Sequence, residues 1–177
     1  MTTGSEADFA PVAVRTRKGR DLGVRAYGCD DFEALVQMYK DFQPKRVAQG
    51  LPPPDVPRIA RWLDCLQQKS QSLLAVDGER IVGHVVLCPM PSDAVEYTIF
   101  VHQDYREEGL GTALSRYSLG WALDMGFAQA YLTTEFSNVR ALRLFRKLGF
   151  QTTSSSGDEV EMKLDLSAAV SVHPQAA

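Results

Sequence analysis

The chain reads as an α/β layer fold built on a mixed, mostly antiparallel central sheet, and three features predict it. Apolar runs flank Asp77-Gly78 as the arms of a hairpin, and a third such run, Ala94 to His102, follows them. A glycine loop, Arg106-Glu107-Glu108-Gly109-Leu110-Gly111, joins that third run to an amphipathic helical stretch. Helical spacing also marks segments before the hairpin and another around residue 140. With 177 residues, 45% of them hydrophobic and 23% charged, the chain is sized for one domain with a sizeable core.

Residues 1–20 are small, polar and then basic, so a flexible arm is expected there, followed by the domain over 21–166 and a flexible tail over 167–177. Leu22 to Tyr27 alternates as a first strand, which Gly28 to Asp31 ends. Asp30 or Asp31 then caps a helix carrying Phe32, Leu35, Val36 and Tyr39. A proline-punctuated loop, Pro44 to Pro57, leads to a second helix whose start is signalled by Asp55 and Pro57 and whose apolar face is Ile59, Trp62, Leu63 and Leu66. The hairpin strands run Ser72 to Val76 and Arg80 to Cys88. Met90 to Asp93 turns the chain into Ala94 to His102, apolar enough for a strand covered on both sides. The helix after the glycines puts Leu110, Ala113, Leu114, Tyr117, Trp121 and Met125 on one side and ends near Gly126. Ala128 to Thr134 is the next strand, and Asn138 to Leu148 the last helix, with Gly149 as its stop. Phe150 to Thr153 pairs with Val160 to Leu166 around the Ser154 to Asp158 turn. The resulting order is β-α-α-β-β-β-α-β-α-β-β.

A net charge of -3 and a pI near 5.6 set the chain apart from general nucleic-acid binders, which carry a basic excess. Cys29, Cys65 and Cys88 are far apart and in no C-x-x-C arrangement, so free thiols are expected. His84, His102 and His173 show no metal-ligand spacing, and no metal is expected. No stretch approaches the roughly 18 apolar residues of a membrane span, and none precedes a cleavage site, so a soluble cytoplasmic protein with no membrane partner is the expectation.

The strand-to-glycine-to-helix junction is the centre of the functional reading. Such a junction gathers free backbone N–H groups and the positive end of a helix dipole at one place, which suits phosphate. Gly109 and Gly111 are expected to supply backbone angles that side chains forbid and to let a ligand lie against the main chain. Gly-x-Gly stops short of the third glycine of a dinucleotide fingerprint, and the strand before it belongs to a meander, so a dinucleotide fold is a poor match.

The pattern V-x-x-x-Y-R-x-x-G-L-G-T-A-L, followed by N-V-R-A-L-R-L-F-R-K-L-G-F from Asn138 to Phe150, resembles the GNAT superfamily of acetyl-CoA-dependent N-acetyltransferases over about residues 22–165. The resemblance implies the GNAT fold, with helices on both faces of the sheet and acetyl-CoA as co-substrate. It implies that the main chain of Ile99, Phe100 and Val101 pairs with the pantetheine arm. Arg106, Glu107, Glu108, Gly109, Leu110, Gly111 and Thr112 would cradle the pyrophosphate. Asn138, Ala141, Leu144 and Lys147 would flank the arm from the last helix, although Asn138 is by position equally a helix cap.

Acetylating a lysine amine requires its neutral form, which at pH 7 costs about 4.6 kcal/mol, so a positioned base is useful. Glu96 is the ionisable residue within an otherwise apolar strand. Burial would raise its pKa toward neutrality, while a strand-end position would leave it in water. Ala94, Glu96 and Val101, in the form A-x-E-x-x-x-x-V, resemble the bacterial Pat-type protein lysine acetyltransferases, which implies that Glu96 is the general base. Phe145 stands where many relatives carry a tyrosine acid, and a thiol with a pKa near 8.5 can leave without it. Glu107 and Glu108 replace glycine and basic residues and should repel phosphate by about 1 kcal/mol each at short range in water. The favoured acceptor is a protein lysine. A small amine such as a polyamine, amino sugar or amino acid, or a non-catalytic acyl-CoA sensor, are the alternatives, and a homodimer is left open.

Overall fold

A computed structural model describes residues 8–44 and 52–170. The expected proline loop falls partly on residues 45–51, outside the described residues. So do the outermost parts of both expected tails, 1–7 and 171–177, the latter with His173.

One sheet holds the strands β1 (Val12–Arg15), β2 (Asp21–Ala26), β3 (Gln71–Asp77), β4 (Arg80–Met90), β5 (Ala94–Val101), β6 (Gln129–Glu135), β7 (Gln151–Ser156) and β8 (Glu159–Asp165). Their spatial order is β1-β2-β3-β4-β5-β6-β8-β7. Every neighbouring pair is antiparallel except β5 and β6.

Period-2 alternation sorts the strand side chains onto two faces. Leu73, Tyr97, Ala130, Leu132 and Met162 enter one core with α3 (Leu110–Asp124) and α4 (Val139–Leu148). Leu74, Ile81 and Phe100 enter the other with α1 (Phe32–Asp41) and α2 (Val56–Gln67). Leu142 and Phe145 bury the apolar stripe of α4, at about 1.5–3 kcal/mol each, while Arg143 and Arg146 stay exposed. Asp55 accepts from Arg58 N at 3.0 Å to start α2, and Gly149, with φ 98°, ends α4 as its sequence signals.

The expected arm over 1–20 is corrected by β1, which pairs with β2 from Val12↔Val24 to Arg15↔Asp21. Phe9 also packs edge-on against Trp121. The expected tail is corrected at its start, since Leu166–Val170 forms a short helix, α5, and Leu166 is fully buried. Asp31 takes the N-cap position of α1, one of the two expected, but its side chain makes no hydrogen bond to the helix. Its carboxylate turns back onto Arg25, with both contacts at 2.6 Å, and accepts from Gly28 N at 2.8 Å. Tyr117 is exposed, and Ser115 and Ser118 lie buried on α3 instead. The helix approaches the sheet so closely there that a Cβ on Gly83 would meet Leu114 at 3.0 Å and Ala75 at 3.1 Å.

Candidate active site

β5 and β6 run parallel but share only the pairs Ala94↔Gln129, Val95↔Ala130 and Glu96↔Tyr131. Beyond Glu96 they part, and a cleft of about 420 Å³ opens between them. One wall is β5 from Glu96 to Val101. The other is β6 from Leu132 to Glu135, then Ser137, Asn138, Arg140, Ala141, Leu144 and Phe145. Phe42, Pro44 and Arg106 also line it.

The direction of the main chain along β5 follows from one hydrogen bond. The His102 amide donates to Val82 O on β4 at 2.9 Å, so alternation turns the main chain of Phe100 toward β4 as well, and that of Ile99 and Val101 toward the cleft. The expectation for Phe100 is therefore corrected: the residue borders the cleft, but its main chain faces β4 and its ring packs into the α1–α2 core. Val101 O already accepts from Arg106 Nε at 2.9 Å. The Arg106 guanidinium also donates to Gln43 O and lies 5.0 Å from the Phe42 ring centre, tying the loop before α3 to the end of α1. Burial, and after it the nearby Arg140, push the Arg106 pKa below its usual value.

Gly109 precedes α3 with φ 92°, a left-handed conformation that suits glycine. Gly111 sits inside the first helical turn, and a Cβ there would make ordinary contacts with Leu144 at 3.5 Å and Val101 at 3.7 Å. Only the first of the two glycines has the special backbone angle expected for both. Helix geometry leaves the N–H groups of Leu110, Gly111 and Thr112 without an intrahelical acceptor, at the Val101–Leu144 end of the cleft.

The two glutamates of this loop point away from one another. Glu107, with φ 61°, is exposed and pairs with Arg140 at 3.2 Å across to α4. The Glu108 side chain is fully buried, with Lys18 Nζ at 3.2 Å and Arg20 at 3.6 Å from its Oε1. Burial opposes its charge, but Lys18, Thr16 and Arg20 outweigh that and hold the carboxyl below its usual value. The feared repulsion of phosphate by Glu108 is thus corrected, because basic partners from the β1–β2 turn already neutralise it.

Glu96 lines the cleft where the strands part and is exposed, so of the two alternatives the sequence left open the exposed one holds. Cys88 lies opposite it on β4, and burial, then the Glu96 charge, push that thiol's pKa up. Asn138 caps α4 by accepting from Ala141 N at 3.3 Å, and it lines the cleft too. Lys147 is exposed and lies outside the lining. Phe145 borders the cleft against Tyr97, whose hydroxyl donates to Ser115 Oγ at 2.7 Å and whose pKa burial raises strongly. Sequence reasoning named no residue of the β6 wall, nor Phe42, nor the contributions of Thr16 to Arg20. The alternation Val12, Val14, Leu22, Val24 around Lys18-Gly19 was the signal for the last of these.

His102 is buried beneath the loop, near Arg80 at 3.2 Å, and is no part of the cleft. Among the described residues no cluster could hold a metal, and no helix is long and apolar enough to cross a membrane.

A splayed pair of parallel strands ending at a glycine loop and helix N-terminus defines the class. Residues 32–150 match the model of the acetyltransferase (GNAT) family, and the chain belongs to that family. It is 28% identical over 89 residues to human (Homo sapiens) N-acetyltransferase 8, covering 47% of this chain and 39% of that protein. The chain thus spans about two fifths of the length of the curated relatives it matches. Among solved structures, the GNAT domain of S. lividans PAT superposes with a TM-score of 0.75 at 21% identity, covering 88% of this chain and 96% of that one. yncA from Salmonella typhimurium, solved with its cofactor acetyl-CoA, gives 0.66 at 20% identity, with 82% and 94% covered. These two likenesses show the fold.

Proposed function

We propose that the chain is an acetyl-CoA-dependent N-acetyltransferase whose favoured acceptor is a protein lysine side chain, as in the Pat-type enzymes. The observation that carries the co-substrate is the cleft left where β5 and β6 part, closed at one end by the N-terminus of α3, and the acceptor rests on the resemblance of Ala94, Glu96 and Val101 to the Pat-type pattern. Its features fit the co-substrate. Ile99 and Val101 turn main-chain groups into the gap, Gly111 brings β5, α3 and α4 together without a side chain, and free N–H groups of the first α3 turn suit a pyrophosphate. Glu107 is held by Arg140 and Glu108 by Lys18 and Arg20, so neither carboxylate counts fully against phosphate.

In the reaction the acceptor nitrogen attacks the acetyl carbon, the N–C bond forms and the C–S bond breaks. Glu96 takes the ammonium proton, directly or through a water, from its place at the parting of the strands. Its position, and not burial, supports this role. The thiolate departs and takes a proton from solvent, because Phe145 carries no hydroxyl and the Tyr97 hydroxyl is committed to Ser115.

The test follows free-thiol release from acetyl-CoA with lysine peptides and with a panel of small amines. Turnover on peptides is the expected result. Turnover on small amines alone would move the acceptor class, and binding without turnover would support an acyl-CoA sensor. Glu96→Gln should lower the rate by about 10² to 10⁴. An unchanged rate removes Glu96 from the mechanism.

A further inference from the structure

The turn that joins β1 to β2 is docked on the glycine loop at several points, although some ninety residues of chain separate them. Arg17 N donates to Glu108 O at 2.8 Å, and the Arg17 guanidinium donates to Glu107 O, also at 2.8 Å. The Glu108 carboxylate enters the turn from the other side and meets Lys18 and Arg20. The turn is itself closed, with Thr16 N donating to Arg20 O at 2.8 Å and Arg20 N to Thr16 Oγ1 at 3.2 Å. Arg20 stacks 4.3 Å over the Tyr105 ring, and the Tyr105 hydroxyl donates to Asp77 at 2.7 Å.

Both loop carbonyls therefore face the turn, while Glu107 and Gly109 hold left-handed backbone angles of 61° and 92°. For a glutamate that angle is strained, and it persists only where surrounding contacts over-determine it. The contacts from Arg17 supply that constraint from outside the cleft.

We infer that the β1–β2 turn braces the phosphate loop, with Glu108 as its buried anchor, and so sets affinity for the pyrophosphate-bearing half of acetyl-CoA without touching it. Glu108 is a positioning residue in this scheme, which rests on the acetyltransferase reading above. The loop's N–H groups are aimed by contacts made on its far side, and a hairpin remote in sequence becomes part of the coenzyme site.

Calorimetry with coenzyme A on the wild type, Glu108→Gln and Lys18→Met tests this. Lys18 is mostly exposed, so its replacement keeps the test open should the buried substitution fail to fold. Each variant should weaken coenzyme A binding, Glu108→Gln by about tenfold. The preference for acetyl-CoA over acetyl-pantetheine, which lacks the pyrophosphate, should fall by about the same factor. An equal loss on both thioesters, or undiminished binding in both variants, overturns the brace while leaving the acetyltransferase reading standing. No heat from the wild type with coenzyme A overturns both.

Discussion

Lowering the pH should weaken this fold through one imidazole, and the size of the effect follows from its surroundings. His84 is 1% exposed, between Tyr39 on α1, whose hydroxyl lies 2.6 Å from Nδ1, and Ser72 on β3, whose Oγ lies 3.0 Å from Nε2. Burial lowers its pKa from 6.5 to about 3, so the ring is neutral in the folded chain. The unfolded chain protonates it below pH 6.5, and the unfolded state then binds more protons than the folded one. Stability is intact above that pH and falls as the pH drops toward 3, by about 1.4 kcal/mol per unit. Between pH 7 and pH 5 the loss amounts to about 2 kcal/mol, the same for any folded pKa well below 5. Urea denaturation at both pH values, on the wild type and on His84→Gln, measures it. Glu108 and Asp31, whose lowered pKa values also cost stability in acid, are common to both proteins and cancel in the difference. The wild type should lose about 2 kcal/mol more than the variant over this interval. Parallel losses would mean that the folded chain accommodates a charged His84, and the account of its burial would be wrong.

Three further outcomes are expected. Tyr39→Phe should cost about 1–3 kcal/mol in urea, because it strips a buried ring nitrogen of its partner. Gly83→Ala should destabilise by about 1–3 kcal/mol, since the new methyl meets Leu114 and Ala75 at 3.0 and 3.1 Å, and a neutral result would show that α3 can shift. Asn138→Ala should lower the thermal midpoint through a lost cap worth about 1 kcal/mol, and a loss of coenzyme A affinity on top of it would show a second role for that side chain.

What the sequence made legible is what depends on neighbours along the chain. The passage from β5 through Gly109 into α3 is contiguous, and its strand, turn and helix signals are all local. Asp55, Asn138 and Gly149 likewise mark helix ends within a few residues. The cleft itself was less legible, because it depends on how soon β5 and β6 stop pairing. The directions of Glu107 and Glu108 are fixed by Arg140 and by Lys18 and Arg20, partners distant in sequence. Their adjacency alone suggested a shared repulsion. Ser115 and Ser118 look like surface residues, yet α3 lies so close to Gly83 that small side chains suit that face, and the Tyr97 hydroxyl gives Ser115 a partner. β1 escaped notice because it is only four residues long and runs straight into a basic stretch, so its apolar alternation shows only when it is read together with Leu22 and Val24 across the turn.

β7 closes the sheet with Gln-Thr-Thr-Ser-Ser-Ser, every residue of it exposed. A second molecule aligned along that border would gain main-chain hydrogen bonds but almost no hydrocarbon contact, and hydroxyls already served by water return little on being covered. Self-association through this rim should therefore be feeble and easily dispersed by dilution.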